Sequence, residues 1–314
     1  MKATVYFVVP SSGEIWGSTF LRGLQMCEVA KRHVGEDYDF QIIGMPMLRN
    51  RALGLANIPM QYLWAATRPS GAIYIVMKQC IEGLSSTAAE MLQSRARGVI
   101  FDYVDADMSR ILMRGADIHL CASYAQYSYI SERLNNNGVQ LMLHNYDARF
   151  EVLPAKTAGT LGTVYLGAIR NTYIPPNLRE KVDIFEGSSY EDMNIQIDSI
   201  GGYNFHYCVR PPTVTRNQVI FKPFTKGATA AVCGANVLVN KETHDAVQLL
   251  GDDYPYLVDT LDDVLITEKF AAAEAGVGGA DWQRAISVMA ELAFQLSPEQ
   301  AALKLHKILK PMSE

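Results

Sequence analysis

The sequence predicts an α/β protein built from two parallel-sheet domains, and three observations carry that prediction. Short, almost wholly apolar runs alternate with longer amphipathic stretches, the rhythm of strands covered on both faces by crossover helices. The rhythm runs from residue 3 to 144, stops in a polar, proline-containing stretch at 147–160, and resumes at 161. The chain has 314 residues, twice the ~150 of a common domain. With 49% hydrophobic and 19% charged residues, each half can bury its own core.

The elements follow in order. Residues 3–9 (ATVYFVV) read as a buried strand closed by Pro10, and 20–33 as a helix with Leu21, Leu24, Val29 and Ala30 on one face. Strands at 38–43, 72–77, 98–103, 116–122 and 139–144 and helices at 86–95 and 123–135 complete a first domain, residues 1–152. In the second, residues 153–314, strands are predicted at 161–166, 182–185, 205–209 and 235–240. A short helix at 228–233 ends at Gly234, which suits a left-handed cap. Helices at 281–295 and 298–309 close the chain, and the last is placed to pack back on the first domain.

Charge and cysteine usage exclude several classes. The net charge is −5, and 28 Lys+Arg are spread without a basic block, which argues against nucleic-acid binding. Small phosphorylated ligands remain open, because they need only two or three well-placed cations. Five widely spaced cysteines argue against a disulfide framework and a cysteine-rich zinc site. The apolar start runs directly into SSGE with no signal-peptide pattern, and no apolar run approaches the ~20 residues that cross a bilayer. A soluble, cytoplasmic protein is the expectation.

Ligands of parallel sheets sit beyond the carboxyl ends of the strands, so the loops after strands are the candidate sites. Residues 11–19 combine Gly13 and Gly17 with four hydroxyls, and Arg22 follows in the helix. This is either an anion loop at a helix start or a polar connection capped by Ser18 or Thr19. It matches neither the dinucleotide fingerprint nor the Walker pattern. In 221–227, Lys222 and Lys226 lie four apart and Thr225 is a natural N-cap. A lysine at a helix start opposes the dipole, so a bound anion would account for Lys226, with Arg210 as an additional planar donor. After the strand at 235–240 come Glu242, Thr243 and His244; Glu242 is either a ribose ligand or an ordinary helix charge. Asp102, Asp105 and Asp107 suit a hard metal or helix capping, without the glycine turn and closing Glu of a calcium loop. His144 is either a general base or a satisfied structural histidine.

Several segments together resemble the GT-B glycosyltransferases, in the style of bacterial enzymes of cell-surface polysaccharide biosynthesis. In the first half these are Gly17-Ser18-Thr19-Phe20-Leu21-Arg22-Gly23, GVIFDYVDAD, ADIHLCASYAQYSYI and LMLHNYDARF. In the second they are LGTVYLGAIRN and IFKPFTKGATAAVCGANVLVNKETHDAVQLLGDDYPYLV. The resemblance implies two Rossmann-like domains with parallel sheets facing a central cleft. It implies a nucleotide-sugar donor in the second domain, a glycan, lipid-linked or small-molecule acceptor on the first, and no metal or other cofactor. By it Lys222 and Lys226 hold the diphosphate beside Thr225 and Arg210, and Gly167 admits the donor. Glu242 and Thr243 lie near the nucleotide or sugar, and Gly17 and Arg22 face the cleft from the acceptor side. His144, Asp105 and Glu14 are the candidate bases.

The sequence departs from the family at one important place. The paired glutamates that flank the phosphate helix in many retaining relatives are absent, and Lys222 and Gly227 stand in that neighbourhood. Inversion or retention is therefore open, and a non-catalytic relative that binds the donor or serves as a partner subunit is a second reading. A nucleotide-sugar 2-epimerase shares the fold but requires convergent acids and histidines that the sequence supplies poorly. Residues 45–51 and 58–64 form an apolar-basic stretch that suits either a peripheral membrane contact or a cleft wall.

Overall fold

The computed structural model describes residues 2–12, 17–47, 56–109, 113–152, 159–187, 197, 199–212 and 217–314. The chain forms two compact units that are not contiguous in sequence. One comprises Met1–His144, Thr215–Pro223 and Pro298–Glu314; the other comprises Asn145–Val214 and Phe224–Ser297.

The first unit is a six-stranded sheet of β1 (Ala3–Pro10), β2 (Tyr38–Met45), β3 (Ile73–Met77), β4 (Gly98–Asp102), β5 (Ile118–Cys121) and β6 (Val139–Leu141). Its order is β2-β1-β3-β4-β5-β6 and every pairing is parallel. β3 and β4 are buried at every position, which is why IYIVM and GVIFD are continuous rather than alternating apolar runs. A π-helical turn at Phe20–Gln25 leads into α1 (Met26–Val34), followed by α2 (Asn57–Ala66), α3 (Lys78–Ile81), α4 (Ser86–Arg95) and α5 (Tyr124–Leu134). Ser123 caps α5 by accepting from the Gln126 N–H at 3.1 Å, and Asn135 closes it in the left-handed region at φ 50°. The C-terminal helix, Pro298–Ser313, covers the face of β1 together with α1. Ala301, Ala302, Leu305 and Leu309 share one core with Met26, Cys27, Ala30, Val5 and Phe7.

The second unit holds β7 (Thr163–Leu166), β8 (Asp183–Phe185), β9 (Phe205–Tyr207), β10 (Asn236–Asn240) and β11 (Leu257–Val258), with α6 (Thr225–Val232), α7 (Ala246–Leu250), α8 (Asp263–Ala275) and α9 (Ala280–Gln295). The strand order is β11-β10-β9-β7-β8, again parallel throughout. Aromatic packing fixes α9 on this sheet: Trp282 stacks on Phe205 at 6.0 Å, and its carbonyl accepts from Asn236. In both units the chain steps from the first strand to a neighbour on one side, β2 or β8, and then crosses back to the other side, to β3 or β9. The crevices beyond the carboxyl ends of β1/β3 and β7/β9 are therefore topological switch points.

Several details differ from the sequence expectation. The helix expected at 228–233 begins at Thr225, and Phe224 rather than Thr225 is its cap residue, with no side-chain capping bond. The Phe224 ring fills the space that a Cβ on Gly227 would occupy, so ring packing sets the helix start and requires the glycine. Helices α2, α3, α7 and α8 and the short strand β11 lie where no element was expected. Among the described residues no helix is long and apolar enough to cross a membrane. In the stretch considered for membrane contact, Ile58, Tyr62 and Leu63 are exposed, Gln61 and Trp64 are buried, and 48–51 lie outside the described residues.

Candidate functional site

In the second unit, β7 ends at Leu166 and the chain turns at Gly167 with φ 131°. Lys226, the second residue of α6, reaches this turn. Its Nζ donates to the Leu166 carbonyl oxygen and lies 4.1 Å from the centre of the Tyr165 ring. A Cβ on Gly167 would collide with that ammonium, so close approach as well as backbone conformation requires glycine here. Burial pushes Lys226 down to about 8, with the charge of Arg210 acting in the same direction and Cys208 opposing it. The partners of Lys226 are a carbonyl and a ring face rather than a carboxylate.

Arg210 follows β9 and is held by the last residue of β10. Asn240 Oδ1 accepts from the Arg210 backbone N–H at 3.0 Å, and Asn240 Nδ2 donates to the Arg210 carbonyl at 3.0 Å. The same amide donates to Glu242 at 2.8 Å and accepts from the Thr243 hydroxyl at 3.0 Å. One fully buried asparagine thus locks the loops after β9 and β10 together. Thr243 is buried in this network and positions the loop, whereas Glu242 is exposed. Burial and the Arg210 charge both lower the pKa of His244. The structure therefore gathers Gly167, Arg210, Thr225, Lys226, Glu242 and Thr243 in one unit, at the carboxyl ends of β7, β9 and β10.

Lys222 has a partner in the first unit. The segment 217–223 belongs to the first unit: the Met108 N–H donates to the Val219 carbonyl at 2.8 Å, and the Val219 N–H to Asp107 Oδ1 at 3.0 Å. Phe221 packs on Tyr129 with ring centres 5.0 Å apart. Lys222 is thereby delivered to Asp105, whose other oxygen meets Lys78 at 2.7 Å; the Ser18 hydroxyl donates to Asp105 at 3.3 Å. Burial raises the Asp105 carboxyl, but the charges and hydrogen bonds of Lys222 and Lys78 more than offset this and hold it well below the usual range. Asp105 is thus a carboxylate shared by two ammoniums. The loop that presents it passes through Val104 at φ 51°, a strained conformation for a β-branched residue and one that clusters at functional sites.

Arg22 is also reassigned. It is fully buried, with Nε donating to Asp102 Oδ2 at 3.0 Å and Nη1 to the Leu143 carbonyl at 3.1 Å. It ties the π-helical turn to β4 and to the end of β6, with no exposed surface. Burial pushes the Asp102 carboxyl up and Arg22 opposes the shift. His144 is 4% exposed and follows the edge strand β6. Gly17 takes φ 59° ahead of the π-helical turn, with open space where a Cβ would be. Glu14 lies outside the described residues. The three aspartates have separate partners, Asp107 accepting from Ser109 and Val219, and among the described residues no group of three or more His, Cys, Asp or Glu is placed to hold a metal. Sequence reasoning missed Lys78 and Asn240. The first directly follows β3, so the rule about loops after strands would have found it.

Neither a protein-family model nor a curated protein matches the sequence. Solved structures do match. An α,α-trehalose-phosphate synthase from Burkholderia vietnamiensis aligns with TM-score 0.65 at 10% identity, over 100% of this chain and 98% of that one. HepE from Anabaena, solved in complex with UDP-glucose, aligns with TM-score 0.61 at 10% identity over 98% and 99%. The GtfA/B complex aligns with TM-score 0.54 at 11% identity over 82% of this chain, which spans 61% of that longer one. At such identities the likeness is one of fold, and it covers both units: the chain has the two-sheet α/β fold of the GT-B glycosyltransferases.

Proposed function

We propose that the chain is a glycosyltransferase whose second unit binds a nucleotide-sugar donor. One observation carries this reading: at the β7/β9 switch point Lys226 lies partly buried without a carboxylate, with Arg210 beside it. A partly buried cation without a counter-ion is costly, and a diphosphate supplies the missing charge. As the sugar–phosphate bond breaks, negative charge grows on the outer phosphate. Lys226, Arg210 and the first N–H groups of α6 stabilise it without a metal. Asn240 holds Arg210 and Glu242 in place, and the exposed Glu242 carboxylate is free to accept hydrogen bonds from ribose hydroxyls. The UDP-glucose complex of HepE supports a nucleoside diphosphate in a fold of this kind. The acceptor is a glycan, a lipid-linked sugar or a small molecule, as in polysaccharide assembly.

The second reading, a donor-binding protein without turnover, draws on Lys222 and Gly227 standing where many retaining relatives carry glutamates. Both readings predict that UDP and UDP-glucose bind by calorimetry, equally with and without EDTA, and that Lys226→Ala loses the binding at least tenfold. Release of UDP from UDP-glucose, with a panel of acceptors, separates the two. No binding of any nucleoside diphosphate or sugar nucleotide by the wild-type chain would overturn both.

A further inference from the structure

One buried side chain touches both the ammonium and the turn of the donor-side group. Tyr165, the third residue of β7, has no exposed surface. Its ring face holds Lys226, whose Nζ lies 4.1 Å from the ring centre. Its hydroxyl donates to the Ala168 carbonyl at 2.7 Å. Gly167 lies between these contacts: a Cβ there would collide with Lys226 Nζ and sit 3.6 Å from the Tyr165 hydroxyl. Beyond Ala168 the chain makes a single 3-10 turn, Ile169–Asn171, with all three residues exposed. Hydroxyls hold this turn at both ends. After it, the Thr172 hydroxyl donates to the Val209 carbonyl at 2.8 Å and the Tyr207 hydroxyl to the Tyr173 carbonyl at 2.6 Å.

Arg210, Cys208 and His206 are the titratable groups that act on Lys226 or feel its charge. Arg210 repels the ammonium. Burial pushes the Cys208 thiol up to about 12 and the His206 imidazole down to about 3, so both are neutral at pH 7. The negative face of an aromatic ring attracts a cation, more strongly out of water. The Tyr165 ring and the Leu166 carbonyl therefore favour the charged lysine and fix its direction.

We propose that Tyr165 is a positioning residue of the donor site: its ring keeps Lys226 charged and in place, and its hydroxyl sets the path of the chain leaving Gly167. That this serves a nucleotide rests on the donor-binding reading; the hold on the lysine does not.

The test uses the full-length protein as wild type, Tyr165→Phe and Tyr165→Leu, with folding of each checked by far-ultraviolet circular dichroism. Competitive acetylation with trace acetic anhydride, read by mass spectrometry of the Lys226 peptide across pH, gives the titration midpoint of that amine. Leucine, which lacks the ring, lowers the midpoint by about one pH unit, and phenylalanine leaves it in place. A merely structural role would cost stability without moving it. Phenylalanine instead speeds hydrogen exchange at Asn171, whose N–H shares the Ala168 carbonyl with the lost hydroxyl. By calorimetry UDP binds about tenfold more weakly to the leucine variant and several-fold more weakly to the phenylalanine variant. A midpoint that leucine does not move, or equal UDP affinity in all three proteins, would overturn the proposal. If the leucine variant does not fold, exchange and UDP affinity in the phenylalanine variant still decide it. A shifted midpoint with no UDP binding by the wild type would instead sink the donor-site reading and leave the hold of Tyr165 on Lys226 standing.

Discussion

Replacing Lys226 with methionine is expected to stabilise the protein while removing its hold on nucleotides. Burial moves the lysine from its ordinary value of 10.5 to about 8. At ~1.4 kcal/mol per pH unit that gap makes the buried charge cost about 3 kcal/mol at neutral pH. The unfolded lysine keeps its proton up to 10.5, whereas the folded one releases it near 8. Between those values the unfolded state binds more protons, so stability rises with pH; the full cost applies below pH 8 and has gone by pH 10.5. Methionine keeps the length of the side chain but forfeits the bond to the Leu166 carbonyl and the ring contact, a loss of about 1–2 kcal/mol. The net gain at pH 7 is then about 1–2 kcal/mol. Urea unfolding of both chains at pH 7 and near pH 10 measures it. The five buried cysteines titrate in both chains and largely drop out of the difference. Methionine should be the more stable at pH 7 and lose that advantage near pH 10, while calorimetry finds no UDP binding. A variant less stable than wild type at pH 7, or an advantage that does not change with pH, would refute the reasoning.

Gly167→Ala places a methyl against the Lys226 ammonium at a backbone conformation that L-residues rarely adopt. It should destabilise the chain by about 1–3 kcal/mol in urea and weaken UDP binding at the same time. Asp102→Ala leaves the Arg22 guanidinium fully buried without its counter-charge, which should cost about 3–5 kcal/mol in the same assay. The second substitution acts on the first unit's core, so UDP affinity of the folded fraction should not change.

Much of the fold was legible because parallel strands covered on both faces must be continuous apolar runs. Ile73–Met77 and Gly98–Asp102 carry no polar residue before their last position, so a few residues sufficed to place each. Strand ends were read too long, since Val139–Leu141 and Phe205–Tyr207 are followed by residues such as Met142, Cys208 and Val209 that stay buried in the core beyond the strand. Helix α8 escaped because DVLITEKFAAAEA distributes its apolar residues around the axis, leaving Val264 62% exposed while Ile266 is buried. Its capping signal was nevertheless present: Asp262 accepts from the Val264 and Leu265 N–H groups. On the donor side Gly167, Arg210 and Lys226 could be picked out from their places after strands. Asn240 could not, because its role lies in four hydrogen bonds to groups up to thirty residues away.

The harder case is Lys222 and Lys226. Four residues apart and flanking a helix start, they read as one phosphate clamp, because sequence spacing carries no information about which unit a residue packs into. The boundary between the units falls between Pro223 and Phe224, inside the motif. What puts it there is non-local: Val219 and Ile220 pair with Asp107 and Met108, over a hundred residues earlier, and no local pattern encodes that partner. The consequence is chemical. Two lysines on one helix start would share a single anion and lose it together on mutation. Lysines anchored in different units have different partners, the Asp105 carboxylate for one and the neutral Leu166 carbonyl for the other, and need not bind the same group. The motif therefore joins two lysines with different partners, and UDP calorimetry on Lys222→Gln and Lys226→Ala measures whether one anion depends on both.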